Sequence, residues 1–570
     1  MDLDNYVEAK KEADRIDEKI IAVLQSGKSF RVEAGAGSGK TYSLNRVVDW
    51  IQDNKERELT SKKQKVACIT YTNAAVNVIT ERLKGDSSII PSTIHSFMWE
   101  NIHPFQSVLI RLVSELQLLP SNSGHELINS VSYTLGIRYI EEGVLYLYHD
   151  DVIKIFAKLM NNKKFRRLLA LKYPIILIDE YQDSFRVIID QFIKWFIEPQ
   201  EGPQFGFFGD SWQTIYASNG ACGIIEHANI EEIKKKSNFR SQQIIVDILN
   251  KIRPELPQIS AVNEKDGKVF VVTNDDYTGI RQGGYYKDEL PEDILKERID
   301  LVLKRLHEKY EWNESSKTLM ITHKMLAKQQ GYQNLLRILD DDLKNDDDPF
   351  LNFFEATIEP VFQALNTNDT KELFEILSIQ RMPITQKKQK KMWLLFRENL
   401  GASRKGTIGD VMACVIDSKL IKIPPKLQEF HYAYCNNADV KYAKENLKNL
   451  YDIEYSEVLS AIEFLGSNGK YSTDHGVKGE EYDNILFVVG RGWNNYKFDD
   501  FIYKDPCDLC AKDYDAYVRN RNLFYVCCSR SRKNLVLFIT VPAVKKEFVE
   551  YLERVFGKEN IYNYGEFMSE

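Results

Sequence analysis

The sequence predicts an α/β protein built on parallel sheets. Three observations lead there. A short strand-like run, Ser29 to Glu33, ends in a Gly-rich turn, Ala34 to Gly39, and a helix-like stretch follows from Lys40. Pro174 to Ile178 (PIILI) is a continuous apolar run closed by acids, as a strand buried on both faces would be. Strand-like and helix-like stretches alternate, which favours crossover connections and a parallel sheet.

The elements follow in order. Lys65 to Thr70 (KVACIT) is a second strand, with a helix-like segment through Leu83. From Phe97 to Lys172 helical spacing dominates and few strand runs occur, which marks a helical insertion. After Pro174 to Ile178 comes the strand-like Gln204 to Phe208, ending in Gly209-Asp210. A second α/β region is expected from about Ile230, with strands at Lys268 to Thr273 and Thr318 to Thr322. The acidic run Asp340 to Pro349 reads as a linker or solvated loop. Phe350 to Glu463 is mostly helical, and strands return at Asn484 to Val489 and Leu535 to Thr540.

Composition sets the bounds. The 570 residues suffice for roughly four domains. A hydrophobic fraction of 43% provides for sizeable cores and argues against disorder or fibre. The net charge of -7 gives no global sign of nucleic acid, so a binder with this balance needs a local basic groove. The polar, charged N-terminus lacks the pattern of a secretory or transit peptide. No apolar run approaches the ~20 residues of a membrane span. A soluble cytoplasmic chain without membrane contact is the expectation. The eight cysteines are scattered, which fits a reducing compartment. The lone Cys507-x-x-Cys510 has no second pair and reads as incidental, and Cys527-Cys528 sit in an apolar, strand-like run.

The run Ala34-Gly35-Ala36-Gly37-Ser38-Gly39-Lys40-Thr41 is a phosphate loop. Its glycines let backbone N–H groups turn toward phosphate oxygens, and the following helix adds its positive end. Lys40 would reach the β- and γ-phosphates of ATP, Thr41 would hold Mg²⁺, and Tyr42 would line the nucleotide. The strict pattern has Gly where this chain has Ala34. Asp179 and Glu180 close the apolar run at the carboxyl edge of the sheet, where ligands of such sheets bind. Asp179 would help hold the metal and Glu180 would polarise the attacking water.

An ordered set of boxes then resembles one family. Asp179-Glu-Tyr-Gln-Asp183 resembles the DEYQD-type box of the UvrD/Rep-like branch of superfamily 1 DNA helicases, and the AGAGSGKT loop is that branch's form of the Walker A motif. Thr70-Tyr-Thr-Asn73 with Glu81-Arg82-Leu83, Thr93-Ile-His-Ser-Phe97, Gly209-Asp210 with Gln213, Ile215 and Tyr216, and Asn238-Phe-Arg-Ser241 resemble further boxes in the expected order. So do Thr473, His475, Lys478, Gly479, Glu481 and Asp483, and Tyr525-Val526 with Ser529-Arg530. The likeness runs from Ala34 to Arg530, almost the whole chain.

The resemblance implies two RecA-like parallel-sheet P-loop NTPase cores, each with a mostly helical insertion. The first core would take 1–97 and 171–228 around an insertion at 98–170, and the second 229–340 and 464–570 around an insertion at 341–463. It implies catalytic roles for Lys40, Asp179, Glu180, Gln213, Arg240 and Arg530. Gln213 would sense the γ-phosphate, and the two arginines would reach it across the cleft, as a fixed charge and a forked donor suit. Glu481 would contact the nucleotide sugar. Tyr71 and Tyr216 would stack on bases of single-stranded DNA, while Thr70, Thr72, Asn73, Thr93, His95, Thr473 and His475 would hold its phosphates. The implied activity is an ATP-driven 3′–5′ translocase or helicase that also meets duplex junctions.

The chain departs from that family at three places. Ser218 stands where members carry a strand-stacking Trp, and the nearby Trp212 is out of register. Lys19 stands where the adenine-reading Gln is expected. The insertions are short. The basic cluster Lys387, Lys388, Lys390 and Lys391 in the second insertion is either a duplex contact or a solvated helix face. These departures open a second reading: a DNA-stimulated ATPase that regulates a nuclease partner, as compact UvrD-like proteins of Gabija-type anti-phage systems do. A nuclease domain after the last box is not expected.

Overall fold

A computed structural model describes residues 2–569 apart from 71, 120–126, 134–137, 215–219, 313–314, 321–326, 328–330, 340–347, 370–371, 374–375, 378–386, 443–444, 466–470, 474–479, 493–495 and 544. The chain divides into two compact units, Met1–Thr278 with Val477–Glu570, and Gly279–Gly476.

The first unit holds a wholly parallel sheet of β1 (Ser29–Ala34), β2 (Val66–Thr70), β3 (Ile89–Thr93), β4 (Ile175–Asp179), β5 (Gln204–Gly209) and β6 (Ile230–Lys235), in the order β3–β2–β4–β5–β1–β6. The apolar runs explain it, because side chains alternate between faces. Val66, Cys68, Ile175, Leu177, Phe30 and Val32 pack on one face with Ile16, Ile20, Leu44 and Val48 of the helices α1 (Asp2–Gln25) and α2 (Lys40–Asp53). Ala67, Ile69, Ile176, Ile178, Phe205 and Phe207 pack on the other face with helices 94–102, 149–159 and 186–192. Registers Glu33↔Gly209 and Asp179↔Phe208 bring the ends of β1, β4 and β5 level at one edge.

Two expectations change here. The strand Ile230–Lys235, expected to open the second α/β region, pairs along the whole of β1. Its buried positions decide this. Ile233 enters the first core, and the Lys235 ammonium lies buried 3.2 Å from Asp17 Oδ1 of α1, which also accepts the Ser43 hydroxyl of α2 at 2.5 Å. Burial drives the Lys235 pKa below its ordinary value despite Asp17. Within the insertion expected to be helical, Ser130–Tyr133, Tyr139–Glu141 and Val144–Leu147 form a three-stranded sheet beside its helices, with Leu145 and Leu147 in the core.

A second set of parallel strands in this unit comprises β7 (Val269–Thr273), β8 (Tyr482–Val489), β9 (Ser531–Ile539) and β10 (Ile561–Asn563), in the order β8–β9–β7–β10. The Cys527-Cys528 run read as strand-like ends the helix Ala511–Cys528 instead. That helix is buried continuously from Asn522 to Cys528, so its sequence lacks a polar stripe and imitates a buried strand.

The second unit is mostly helical. Helices Pro349–Phe353, Glu359–Thr367, Ile408–Ser418, Leu447–Tyr451 and Tyr455–Leu465 enclose a core that includes Phe350, Phe354, Val411 and Tyr451. Glu359 in that core accepts both Nε (3.0 Å) and a terminal nitrogen (2.6 Å) of Arg404 and the Tyr455 hydroxyl (2.9 Å). Ser316–Met320 pairs in parallel with Tyr471–Thr473. The basic cluster opens the helix Lys387–Ser403, and the acidic run at 340–347 lies outside the described residues. Among the described residues no helix is long and apolar enough to cross a membrane.

Candidate active site

β1 delivers Ala34 to the carboxyl edge of the first sheet, and α2 begins at Lys40. The turn between them requires glycine. Gly37 and Gly39 have φ of 73° and 78°, and a Cβ on Gly37 would come 2.7 Å from both Arg240 Cβ and Asn238 Oδ1. The loop is gripped from the Ser237–Gln258 stretch. Asn238 Nδ2 and Gln258 Nε2 donate to the Ala36 carbonyl at 3.0 and 2.9 Å, and the Phe239 N–H donates to the Gly37 carbonyl at 2.8 Å. The Ala36 N–H donates to the Tyr525 hydroxyl at 3.2 Å.

Lys40 lies among three carboxylates. Its Nζ stands 3.3 Å from Glu180, whose carboxylate also accepts from Gln182 Nε2 at 2.5 Å. Burial opposes the ammonium's charge, but Glu180, Asp210 and Asp179 outweigh it and hold its pKa above the ordinary value. Glu180 has φ 47°, left-handed for a side-chain-bearing residue. Such backbone costs about 1–3 kcal/mol and persists where the surroundings impose it. Here the Glu180 N–H donates to Asp179 Oδ1 at 3.1 Å, and the turn Tyr181–Asp183 follows. Among the described residues no group of three or more His, Cys, Asp or Glu side chains could hold a metal. Asp179 with the exposed Thr41 hydroxyl fits an ion that keeps water and phosphate oxygens as its other ligands, which is the habit of Mg²⁺.

Gln213, Arg240 and Arg530 come together around this loop. Arg530 donates from one terminal nitrogen to Gln213 Oε1 at 3.0 Å and from Nε to the Val526 carbonyl at 3.2 Å. Burial and then the neighbouring Arg240 bring its pKa down to about 10, so the guanidinium stays charged at neutral pH. Arg240 donates to the Ser529 carbonyl at 3.1 Å and, through Nε, to Glu481 at 2.6 Å. Glu481, expected on the nucleotide sugar, is held by Arg240 and Arg532. Its burial is outweighed by those two arginines, which keep its pKa below the usual carboxylate value.

A buried ion network beneath the loop escaped sequence reasoning. Arg253, 3% exposed, donates to Asp210 Oδ1 at 2.6 Å and to Glu33 Oε1 at 2.7 Å. Glu33 Oε1 also accepts the Ser211 N–H (3.0 Å) and hydroxyl (2.6 Å), while Glu33 Oε2 accepts the Tyr181 hydroxyl at 2.8 Å. Asp210 accepts the Trp212 N–H at 3.1 Å and Gln213 Nε2 at 2.8 Å. Asp210 and Gln213 were read as parts of a box, but the only local signal for their partner Glu33 was a charged residue inside the buried strand SFRVEA. Trp212 is 8% exposed, with Arg521 Cζ 3.8 Å and Arg253 Cζ 5.2 Å from its ring and Tyr525 edge-on at 5.5 Å. It is covered by protein groups and offers no open face to a base. Beside the loop, Tyr42 and Phe239 are 58% and 44% exposed, two aromatic surfaces at the mouth of the site. Phe239 was read as a box residue without a role.

Of the residues expected on the strand, Thr70 and Thr93 stand in register at the carboxyl ends of β2 and β3, with Thr72, Asn73 and His95 directly after them. Tyr71, Tyr216 and His475 lie outside the described residues, and of Thr473 only the backbone is described. Thr70 is 1% exposed, and its hydroxyl donates to the Thr72 carbonyl at 3.1 Å. Thr72 caps helix Asn73–Arg82 by accepting the Ala75 N–H at 3.2 Å, and Thr93 caps helix Ile94–Ile102 by accepting the Ser96 N–H at 3.3 Å. Thr72 and Asn73 are exposed. His95 packs at 4.5 Å from His149 and 5.2 Å from Phe185, and its Nε2 is buried without a hydrogen-bond partner. Burial, then His149, pushes its pKa down to about 4 against the opposing pull of Asp150. A histidine whose folded pKa is depressed contributes stability that is full above its unfolded value near 6.5 and lost as pH falls toward 4. The thermal midpoint should therefore fall across that window, and the slope should flatten in His95→Gln. An unchanged slope in the variant would contradict the assignment.

Two comparisons bear on the site. An AAA domain model matches residues 17–219, the stretch that carries the phosphate loop, Asp179-Glu180 and Gln213. The chain is also similar to the Gabija protein GajB of Bacillus cereus (strain HuB5-5), at 23% identity over 96% of this chain and 98% of that protein. Together they support an ATPase of helicase type.

Proposed function

We propose that the chain is an ATP-dependent translocase on single-stranded DNA, of UvrD/Rep type, which hydrolyses ATP between two RecA-like cores. The observation that carries this reading is the convergence of Lys40, Glu180, Gln213, Arg240 and Arg530 on one phosphate loop. Lys40 holds the β- and γ-phosphates, which draws its ammonium from Glu180. The freed Glu180 carboxylate takes a proton from water as that water attacks the γ-phosphorus, and the bond to the β-phosphate oxygen breaks to leave ADP and phosphate. Thr41 and Asp179 would hold Mg²⁺, which would neutralise charge on the phosphates. Arg240 and Arg530 stabilise charge on the γ-phosphoryl oxygens. Tyr42 and Phe239 flank the base.

A second reading makes the chain the ATPase member of an anti-phage complex with a nuclease, with weak unwinding. Likeness to a Gabija protein and the covered Trp212 favour it. The steady-state ATPase rate with and without single-stranded DNA separates the two. Stimulation of tenfold or more is expected of the translocase. A low rate indifferent to DNA would move the conclusion to the regulatory reading, tested by copurification with a nuclease.

A further inference from the structure

We infer that Arg253 is a positioning residue that ties nucleotide occupancy to the strand-binding segment, by clamping both ends of the turn Ser211–Gln213. This rests on the proposed translocase function and names the coupling device of that site.

The geometry is specific. Glu33 is the penultimate residue of β1, one step before the phosphate loop. Asp210 follows β5 and precedes the turn. Arg253 follows the helix Gln243–Ile252, in the same stretch that carries Asn238, Arg240 and Gln258 onto the loop. One guanidinium thus joins two strand ends of the first sheet to the segment that bears a γ-phosphate arginine. Its two carboxylate partners are the groups that hold the turn, Glu33 through Ser211 and Asp210 through the Trp212 N–H and Gln213. Gln213 in turn accepts from Arg530. The chain of contacts Glu33–Arg253–Asp210–Gln213–Arg530 is continuous from the root of the phosphate loop to the second arginine. On the far side, Asn522 Nδ2 donates to the Thr214 carbonyl at 3.2 Å; Ile215 and Tyr216, the residues expected at the strand, come next in sequence and lie outside the described residues.

The chemistry explains why arginine is needed. Glu33 and Asp210 are both buried, and Arg31 Nε stands 3.9 Å from Glu33 without reaching Asp210 in any contact described. A forked donor can hold both acids at once, whereas a lysine ammonium is a point charge that cannot present two parallel donors. A shift of the Arg240-bearing segment when phosphate arrives must move Arg253, and with it the turn. Coupling of this kind is a ratio of affinities and is reciprocal.

The test uses the full chain and Arg253→Lys. The dissociation constant of a fluorescent oligothymidylate is measured with and without a non-hydrolysable ATP analogue, together with the analogue's own affinity and the thermal midpoint. Wild type should show a coupling factor of at least about fivefold. In Arg253→Lys the factor should approach one while each ligand, measured alone, still binds. A merely structural arginine would lower the midpoint and both affinities and leave the factor unchanged, which would overturn the inference. Ser211→Ala removes one hydroxyl that Glu33 holds and should cut the factor at least threefold, so the question stays answerable if Arg253→Lys does not fold. A wild type that binds no oligothymidylate would bring down the translocase reading and this inference with it. A coupled wild type with equally coupled variants would bring down this inference alone.

Discussion

Lys40→Ala should lower ATP hydrolysis by about a hundredfold or more, the order expected when a preorganised charge on a developing anion is removed. The effect has two sources. The β- and γ-phosphates lose their ammonium, and Glu180, Asp210 and Asp179 lose the positive charge that now stands among them. Their mutual repulsion then opposes an anionic ligand, so nucleotide affinity should fall together with kcat. Isothermal titration with ATP and a phosphate-release assay read the two effects separately. Full hydrolysis by Lys40→Ala would remove the phosphate loop from the mechanism.

Glu180→Gln should behave differently. The amide has the same length and can keep the bond with Gln182, but it cannot take a proton from water. Loss of a general base costs about 10²–10⁴ in rate. Single-turnover hydrolysis should fall by that order, while ATP binding persists or tightens because Lys40 no longer has to leave an ion pair. The contrast is diagnostic. A phosphate-binding defect shows in both constants, and a base defect shows in hydrolysis alone. Hydrolysis at the wild-type rate in Glu180→Gln would transfer the base role to another group.

Some of this was legible in the sequence because the signals are local. The phosphate loop announces itself through Gly37 and Gly39, whose left-handed backbone few other residues adopt. The strand ends at Asp179 and Gly209 show as apolar runs that stop in acids. Other features depend on pairings that no local pattern encodes. Residues 230–235 (IEEIKK) carry only two apolar residues, three positions apart, with no period-2 alternation, and only the buried Lys235 and Ile233 tell which sheet they join. The strands at 130–147 run for three or four residues, too short for a period to emerge. Arg253 meets Glu33 across 220 positions of sequence, and a lone arginine after a helix carries no sign of its partner. Trp212 was read only as out of register with the family's stacking Trp, and its covering by Arg521 is a long-range contact that no local pattern shows.

The buried meeting of Asp17, Ser43 and Lys235 has a practical consequence for anyone trimming the protein. Asp17 is the carboxylate on α1 that faces an ammonium with almost no access to water. Shortening the N-terminus past residue 17 would remove the counter-charge together with the turns of α1 that pack on β6 and bury Ala9, Ala13 and Ile16, and a buried ion without its partner is far costlier than a missing pair. Such truncations should yield aggregated material even though every phosphate-contacting residue remains. An affinity tag placed ahead of α1 leaves this contact intact, and Asp17→Asn in the full chain should lower the thermal midpoint through the lost counter-charge alone.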